Sequence, residues 1–158
     1  MSLMDLQNRA IWAKKPRSNQ DDKWLPLAMH MSDAAETARL LWHNWLPAST
    51  KRTIADGLGL VATSAAEYDE AALPCFIFLS AAHDLGKAIP AFQGRLDHFG
   101  FDGQLRRQLS DVGLSLLDYA HPREARHFWA SQLILEENGY SRKLAVILGG
   151  HHGQPPNY

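Results

Sequence analysis

The histidines and one aspartate of this sequence have the types and spacing that metal chemistry requires. The pair His83-Asp84 follows an apolar run, and the pair His151-His152 lies between glycines. His30 and His127 occur singly. Neutral imidazole and carboxylate are both ligands of divalent cations in proteins. A carboxylate shared by two cations holds them about 3.5–4 Å apart, the spacing used in phosphodiester hydrolysis. One interpretation is therefore a two-metal hydrolase.

Each of these groups, taken alone, also has a simpler interpretation. Adjacent histidines at a solvated helix end are favoured by the helix dipole, and His30 by itself is typical of a hydrogen-bonded core histidine. Asp84 could bond the backbone amides of a C-terminal turn. However, a carboxylate that follows the apolar run FIFLSAA at a helix C-terminus is costly without a cation. The remaining histidines, His43, His98 and His121, are predicted to be surface residues.

The elements that must position these residues are predicted to be helices. Apolar residues at three- and four-residue steps predict a helix over 27–46 that carries His30. Further helices are predicted over 50–60, from Tyr68 or Asp69 to Leu85, over 90–96, over 104–109, from Pro122 to Asn138, and over 142–149. The helix before the His-Asp pair tolerates Pro74 in an early turn, is apolar nearly all round, and should be central. No segment shows sustained period-two alternation, so the predicted fold is an all-α bundle without a sheet.

Composition excludes several classes of protein. A length of 158 residues predicts one domain. A net charge of −1 argues against a protein that binds nucleic acid or anionic lipid through an overall positive charge. The single cysteine excludes an intramolecular disulfide. No apolar run reaches the roughly 20 residues of a membrane span, so we expect a cytoplasmic protein without a membrane partner. Gly86-Lys87 is followed by Ala88, so no phosphate-binding loop of an ATP motor is expected.

The ordered motifs resemble those of a known family. They are His30, A-H-D-L-G-K at 82–87, R-H-x-x-x-S at 126–131 and G-H-H-G at 150–153. In this order they resemble the HD-superfamily nuclease domain of the CRISPR-associated helicase-nuclease of type I systems. The resemblance runs from about Trp24 to Pro156. It implies an HD-superfamily helical bundle over 25–158, after a partly ordered N-terminal arm over 1–24.

The resemblance also implies an activity and its partners. The implied function is a metal-dependent nuclease that cleaves single-stranded DNA during type I CRISPR interference, by two-metal phosphodiester hydrolysis. The implied partners are single-stranded DNA, a helicase domain in the same or a separate chain, and an RNA-guided CRISPR effector complex. The implied cofactors are two divalent cations, such as Mn, Mg, Fe, Co or Ni.

Roles follow from the resemblance position by position. The implied ligands are His30 and His83 for the first cation, Asp84 for both, and His127, His151 and His152 for the second. Lys87 would neutralise a phosphate oxygen or protonate the leaving group, so Asp84 and Lys87 are the expected catalytic residues. Ser131, one turn beyond His127, would help to orient the ligands through hydrogen bonds without binding metal itself.

Two features depart from the family pattern. Phe128 stands where the family has glutamate, which removes a polar neighbour but no ligand. The family also has an aspartate ligand well after the double histidine, and none follows His152 here, so we expect the domain's C-terminal helices to be missing. Two alternatives stay open: an HD-type nucleotide phosphohydrolase, and a short non-catalytic form that binds metal or a partner.

Overall fold

The computed structural model describes residues 2–15, 23–60, 64–95, 102–116 and 124–153, and these are mostly helical, as predicted. The helices are α1 (Leu3–Ala10), α2 (Leu27–Asn44), α3 (Ala48–Gly57), α4 (Ala65–Ala71), α5 (Leu73–Ala82), α6 (Pro90–Gln93), α7 (Asp102–Asp111), α8 (His127–Glu137) and α9 (Arg142–Gly149). A 3₁₀ helix spans Leu85–Ala88, and two strands are β1 (Trp12–Lys14) and β2 (Leu25–Pro26). None of the helices in these ranges combines the length and hydropathy of a membrane span.

The prediction that the fold has no sheet was wrong. Strands β1 and β2 pair antiparallel, with Trp12 opposite Pro26 and Lys14 opposite Leu25. A strand of three residues paired with one of two residues is too short to show an alternating pattern in the sequence. The pair therefore forms through tertiary contacts and left no periodic signal.

The helix predicted from Tyr68 or Asp69 to Leu85 is two helices, α4 and α5, separated at Ala72. Pro74 is the second residue of α5, where its missing N–H costs no helical hydrogen bond. Within a continuous helix its ring would clash with the carbonyl four residues earlier, so the chain breaks there.

Helix α5 is also less buried than its apolar sequence predicts. Only Ala82 is buried, and the side chains from Cys75 to Ala81 are half-buried. The apolar cluster around Trp42 packs against Leu73 and Phe76 of this helix. These contacts cover part of the helix circumference, so α5 is only half-buried, although its sequence is apolar nearly all round.

The chain divides into two compact units, one formed by Met1–Met31 with His83–Tyr158 and the other by Ser32–Ala82. In the first unit, α8 packs against α9 and against the 3₁₀ helix. Its core cluster contains Ala10, Trp12, Phe92, Leu105 and Leu109. Every residue proposed above as a metal ligand belongs to this first unit.

The second unit has its own core around the fully buried Trp42, which packs with the buried residues Ala55, Tyr68 and Ala72. The Trp42 indole N–H donates a hydrogen bond to the Asp69 carboxylate. Lys51 Nζ lies 3.3 Å from the same carboxylate oxygen, Asp69 Oδ1. The buried indole N–H of this unit therefore has a charged hydrogen-bond acceptor.

Candidate metal centre

Four separate parts of the chain carry the candidate ligands. His30 lies in the first turn of α2, His127 begins α8, and the His-Asp pair lies in the turn between α5 and the 3₁₀ helix. His151 and His152 lie in the turn after α9, with ring centroids 4.4 Å apart. Gly153 ends this turn with φ of 126°, a backbone conformation that side chains disfavour. The glycines thus allow the sharp turn that brings adjacent imidazoles together.

Asp84 is the centre of the arrangement, and only 4% of it is exposed. Its Oδ2 lies 2.7 Å from His30 Nε2 and 3.2 Å from His83 Nε2. The Lys87 ammonium nitrogen lies 2.6 Å from the same oxygen. One carboxylate oxygen therefore faces two imidazoles and one ammonium group.

The other carboxylate oxygen faces a second set of imidazoles. Asp84 Oδ1 lies 3.1 Å from His127 Nε2 and 3.6 Å from His151 Nε2. His152 extends this set, because its Nε2 lies 3.2 Å from His127 Nε2. The two oxygens of Asp84 thus divide the histidines into two groups.

The 3.1 Å contact between Asp84 Oδ1 and His127 Nε2 does not have the geometry of a hydrogen bond. Two buried atoms at this point, Asp84 Oδ1 and His151 Nε2, therefore have no hydrogen-bond partner within the described ranges. The 3.6 Å between them is too long for a hydrogen bond. A buried polar atom without a partner costs about 1–3 kcal/mol. A cation that accepts both atoms as ligands removes this cost, so the residues present fit a metal ion.

The ligand atoms form two compact groups that share Asp84. One group is His30, His83 and Asp84, and the other is Asp84, His127, His151 and His152. Within each group all ligand atoms lie within 4.8 Å of one another. Imidazole nitrogen with carboxylate oxygen is a donor set that several first-row divalent metals accept. The cluster could therefore hold metal.

The structure brings together all six residues that the resemblance assigns to metal. His43 is not in either group; its Nδ1 lies 4.0 Å from Asp69 Oδ2 in the second unit. The other two predicted surface histidines, His98 and His121, lie outside the described residues, as does Pro122, the predicted start of the helix that carries His127.

The charges of the site keep Asp84 ionised. Burial by itself raises the pKa of Asp84, but the contacts with His127, His83 and Lys87 outweigh it and hold that pKa well below its usual value. Burial also lowers the pKa of His151, which favours its neutral form. An ionised carboxylate beside a neutral imidazole is the protonation state that metal ligation needs.

The turn after Asp84 packs directly on α8. The Ser131 hydroxyl is fully buried and accepts a hydrogen bond of 2.8 Å from the Gly86 N–H. It can donate its proton to the carbonyl of His83 at 2.9 Å or to that of His127 at 3.1 Å. A Cβ on Gly86 would lie 1.9 Å from the His127 carbonyl oxygen, so only glycine fits. This contact ties the His-Asp turn to the helix that carries His127.

The sequence reasoning missed one residue near the site, Gln93 of α6. It is buried and hydrogen-bonds to the backbone of β1 and of the 3₁₀ helix. An amide is not a usual ligand in an imidazole-rich site, so metal-ligand chemistry gives no signal for Gln93. The available signal was a polar residue between Phe92 and Gly94 in a short, otherwise apolar helix.

Residues 12–158 match the family model described as "Cas3, HD domain". The chain belongs to the Cas3 HD domain family. The resemblance found from the ordered His and Asp motifs is thereby confirmed.

Two relatives of this Cas3 HD domain are much longer than the chain itself. It is 36% identical over 154 residues to the CRISPR-associated nuclease/helicase Cas3 of Streptococcus thermophilus, covering 94% of this chain and 16% of that protein. A solved structure titled "Crystal structure of CRISPR-associated protein" is 32% identical with a TM-score of 0.77. That match covers 99% of this chain and 16% of the other. The chain therefore spans about a sixth of the relatives it matches.

Proposed function

We propose that this chain is a metal-dependent nuclease domain that cleaves single-stranded DNA during type I CRISPR interference. The observation that supports the proposal is a single buried carboxylate, Asp84, flanked by two groups of imidazoles in a member of the Cas3 HD domain family. A shared carboxylate is the feature that a two-metal phosphodiester hydrolase requires.

In this proposal each histidine group would hold one divalent cation, and Asp84 would be a ligand of both. The residues that would hold the first are His30 and His83, and those that would hold the second are His127, His151 and His152. Bound divalent cations would supply an activated water and neutralise charge on the scissile phosphate. The protein's contribution is to hold the ligands in place and to keep Asp84 ionised, which the depressed pKa of Asp84 supports.

Lys87 is proposed as a catalytic residue beside Asp84. Its side chain is 11% exposed, and its ammonium contacts Asp84 Oδ2 at 2.6 Å. A cation held there by the carboxylate can neutralise a phosphate oxygen or donate a proton to the leaving oxygen. This contact supports a role for the Lys87 ammonium beside a phosphodiester bound at the two histidine groups.

The partners of the proposed nuclease are single-stranded DNA, a helicase domain and an RNA-guided CRISPR effector complex. The net charge of −1 supports a domain that receives its DNA from a partner instead of capturing it by bulk charge. The S. thermophilus relative is named as both nuclease and helicase, and this chain corresponds to 16% of it. We therefore propose that the helicase is in the same or a separate chain.

The proposal is tested on a circular single-stranded DNA, which an exonuclease cannot attack, with added Mn²⁺. Asp84→Asn preserves the shape of the side chain and removes its charge, so we expect the cleavage rate to fall about 10³-fold. Asp69→Asn, which changes a carboxylate in the second unit, is the matched control and should cleave at the wild-type rate.

Three outcomes would contradict the proposed nuclease. Full cleavage by Asp84→Asn would exclude the shared-carboxylate mechanism. Hydrolysis of free nucleotides but not of DNA would favour a nucleotide phosphohydrolase. Binding of Mn²⁺ with no hydrolysis of either substrate would favour the non-catalytic alternative.

A further inference from the structure

Gln93 is a buried amide that joins strand β1 to the 3₁₀ helix that carries Lys87. It is 4% exposed, and its Oε1 accepts a 3.1 Å hydrogen bond from the Trp12 N–H. Its Nε2 donates to the Trp12 carbonyl at 2.8 Å and to the Lys87 carbonyl at 2.7 Å. Because Trp12 presents both a donor and an acceptor, the amide can satisfy both in only one orientation. The Gln93 side chain is therefore fixed.

Lys87 is held at its backbone and at its ammonium. Its N–H donates to the Asp84 carbonyl at 2.9 Å, and its carbonyl accepts from Gln93. Its Nζ contacts Asp84 Oδ2, and the ring of Phe92, the neighbour of Gln93, lies 5.8 Å from Nζ. Helix α6 thus contacts Lys87 at both ends of the residue.

The same helix fixes the turn to the core of the first unit. The Phe92 ring lies 4.9 Å from the Trp12 ring, centroid to centroid, and 5.5 Å from the His127 ring. Trp12 and Phe92 both belong to the buried cluster that contains Leu105 and Leu109. A displacement of the Lys87 backbone would therefore have to break the Gln93 hydrogen bonds, which are anchored on this core.

We infer that Gln93 is a positioning residue: it fixes the backbone from which the Lys87 ammonium reaches Asp84 Oδ2. The ammonium opposes the arrival of another cation at that oxygen, so Gln93 controls both the metal affinity of the site and the position of Lys87 during cleavage. This inference rests on the proposed metal-dependent function. It differs from a packing role because its effect must pass through Lys87.

The test measures Mn²⁺ affinity by calorimetry, using Gln93→Met in the wild-type and Lys87→Met backgrounds. Removing the ammonium should tighten Mn²⁺ binding about tenfold, because a like charge beside the ligand is lost. Gln93→Met should tighten it about threefold when Lys87 is present and leave it unchanged in Lys87→Met. The same fold-change in both backgrounds, or none in either, would overturn the inference.

A matched control is Gln132→Met. Gln132 is also buried, and its Nε2 donates to Glu136 Oε1 at 2.8 Å. The substitution removes a buried amide of the same kind but should leave Mn²⁺ affinity unchanged in both backgrounds. A tightening equal to that of Gln93→Met would show that any buried amide has this effect and would overturn the inference.

Cleavage of single-stranded DNA at saturating Mn²⁺ provides the second measurement. Gln93→Met should lower the rate about tenfold with Lys87 present and have no effect in Lys87→Met. If the wild-type chain does not cleave, the proposed nuclease fails, while the Mn²⁺ measurements still decide the role of Gln93. If Gln93→Met does not fold, Gln93→Asn, which keeps a neutral amide on a shorter side chain, replaces it with the same expected pattern.

Discussion

At the scale of single residues, the properties of this site follow from one buried carboxylate. Asp84 is removed from water, yet the contacts that surround it lower its pKa. Its Oδ2 is compensated by Lys87 and His30, while its Oδ1 has no hydrogen-bond partner among the residues that the structure describes. An asymmetric carboxylate of this kind leaves one oxygen available for a cation on the side of His127 and His151.

Replacing His152 should remove one cation and leave the other. His152 is exposed and belongs only to the group of His127 and His151, so His152→Ala leaves the ligands His30 and His83 intact. We expect the Mn²⁺ stoichiometry to fall from two to one, measured by calorimetry on the metal-free protein. His43→Ala, a histidine of the second unit, is the control and should retain two. A stoichiometry of zero or two for His152→Ala would contradict the division into two groups.

At the scale of elements, the site depends on the close contact between the 3₁₀ helix and α8. Gly86 approaches the backbone of α8 so closely that no side chain fits, and the Ser131 hydroxyl bonds across the contact. The two elements carry ligands of different groups, because His83 precedes the 3₁₀ helix and His127 begins α8. Their separation is therefore set by backbone contact, which varies less than contact between long side chains.

Gly86→Ala should be strongly destabilising. Its Cβ would lie 1.9 Å from the His127 carbonyl oxygen and 2.5 Å from the Ser131 nitrogen, both backbone atoms that cannot move alone. We expect a loss of about 3 kcal/mol in the free energy of unfolding, or a fall of about 10 °C in melting temperature.

The control for this prediction is Gly57→Ala at the end of α3. A Cβ there meets no atom within 4 Å, and the residue is exposed. Alanine should change the stability by less than about 1 kcal/mol, and in the stabilising direction. Thermal denaturation of both variants decides the matter; equal melting temperatures would show that α8 yields to a methyl group at Gly86.

At the scale of the whole molecule, folding, protons and metal are linked. The lowered pKa of His151 means that the unfolded chain binds more protons than the folded chain as the pH falls below about 6.5. The stability of the metal-free protein should therefore decrease over this range. Asp84 stays ionised there, because its pKa is lowered from an already acidic value, so its stabilising contacts are retained.

Mn²⁺ should stabilise the folded chain, and less so in acid. At about 100 times its dissociation constant a ligand adds about 2.7 kcal/mol to the free energy of unfolding. Imidazoles must be neutral to bind metal, so the rise in melting temperature should be smaller at about pH 5.5 than at about pH 7.5. A chelator should reverse it, and Asp84→Asn should show little of it. A rise that is equal at both pH values, or that survives the chelator, would contradict histidine ligation.

The helices were largely predictable, and the exceptions have local causes. The predicted helix over 142–149 has the bounds of α9, and the one over 27–46 differs from α2 by two residues at its C-terminal end. The β1–β2 pair was missed because its strands are too short to show periodicity. The break between α4 and α5 was missed because proline is tolerated only in the first turn of a helix, and the sequence does not show at which residue the helix that contains Pro74 begins.

The kinds of ligand and their order along the chain are properties of the sequence alone, because imidazole and carboxylate have the same chemistry in any fold. The motifs at His30, His83-Asp84, His127 and His151-His152 were sufficient to indicate the Cas3 HD domain family. Which oxygen of Asp84 faces which histidines, and that Gln93 holds the Lys87 backbone, depended on the tertiary structure. Such contacts join residues distant in sequence, and their distances are set by the packing of α6 and α8 around the turn, which no local pattern encodes.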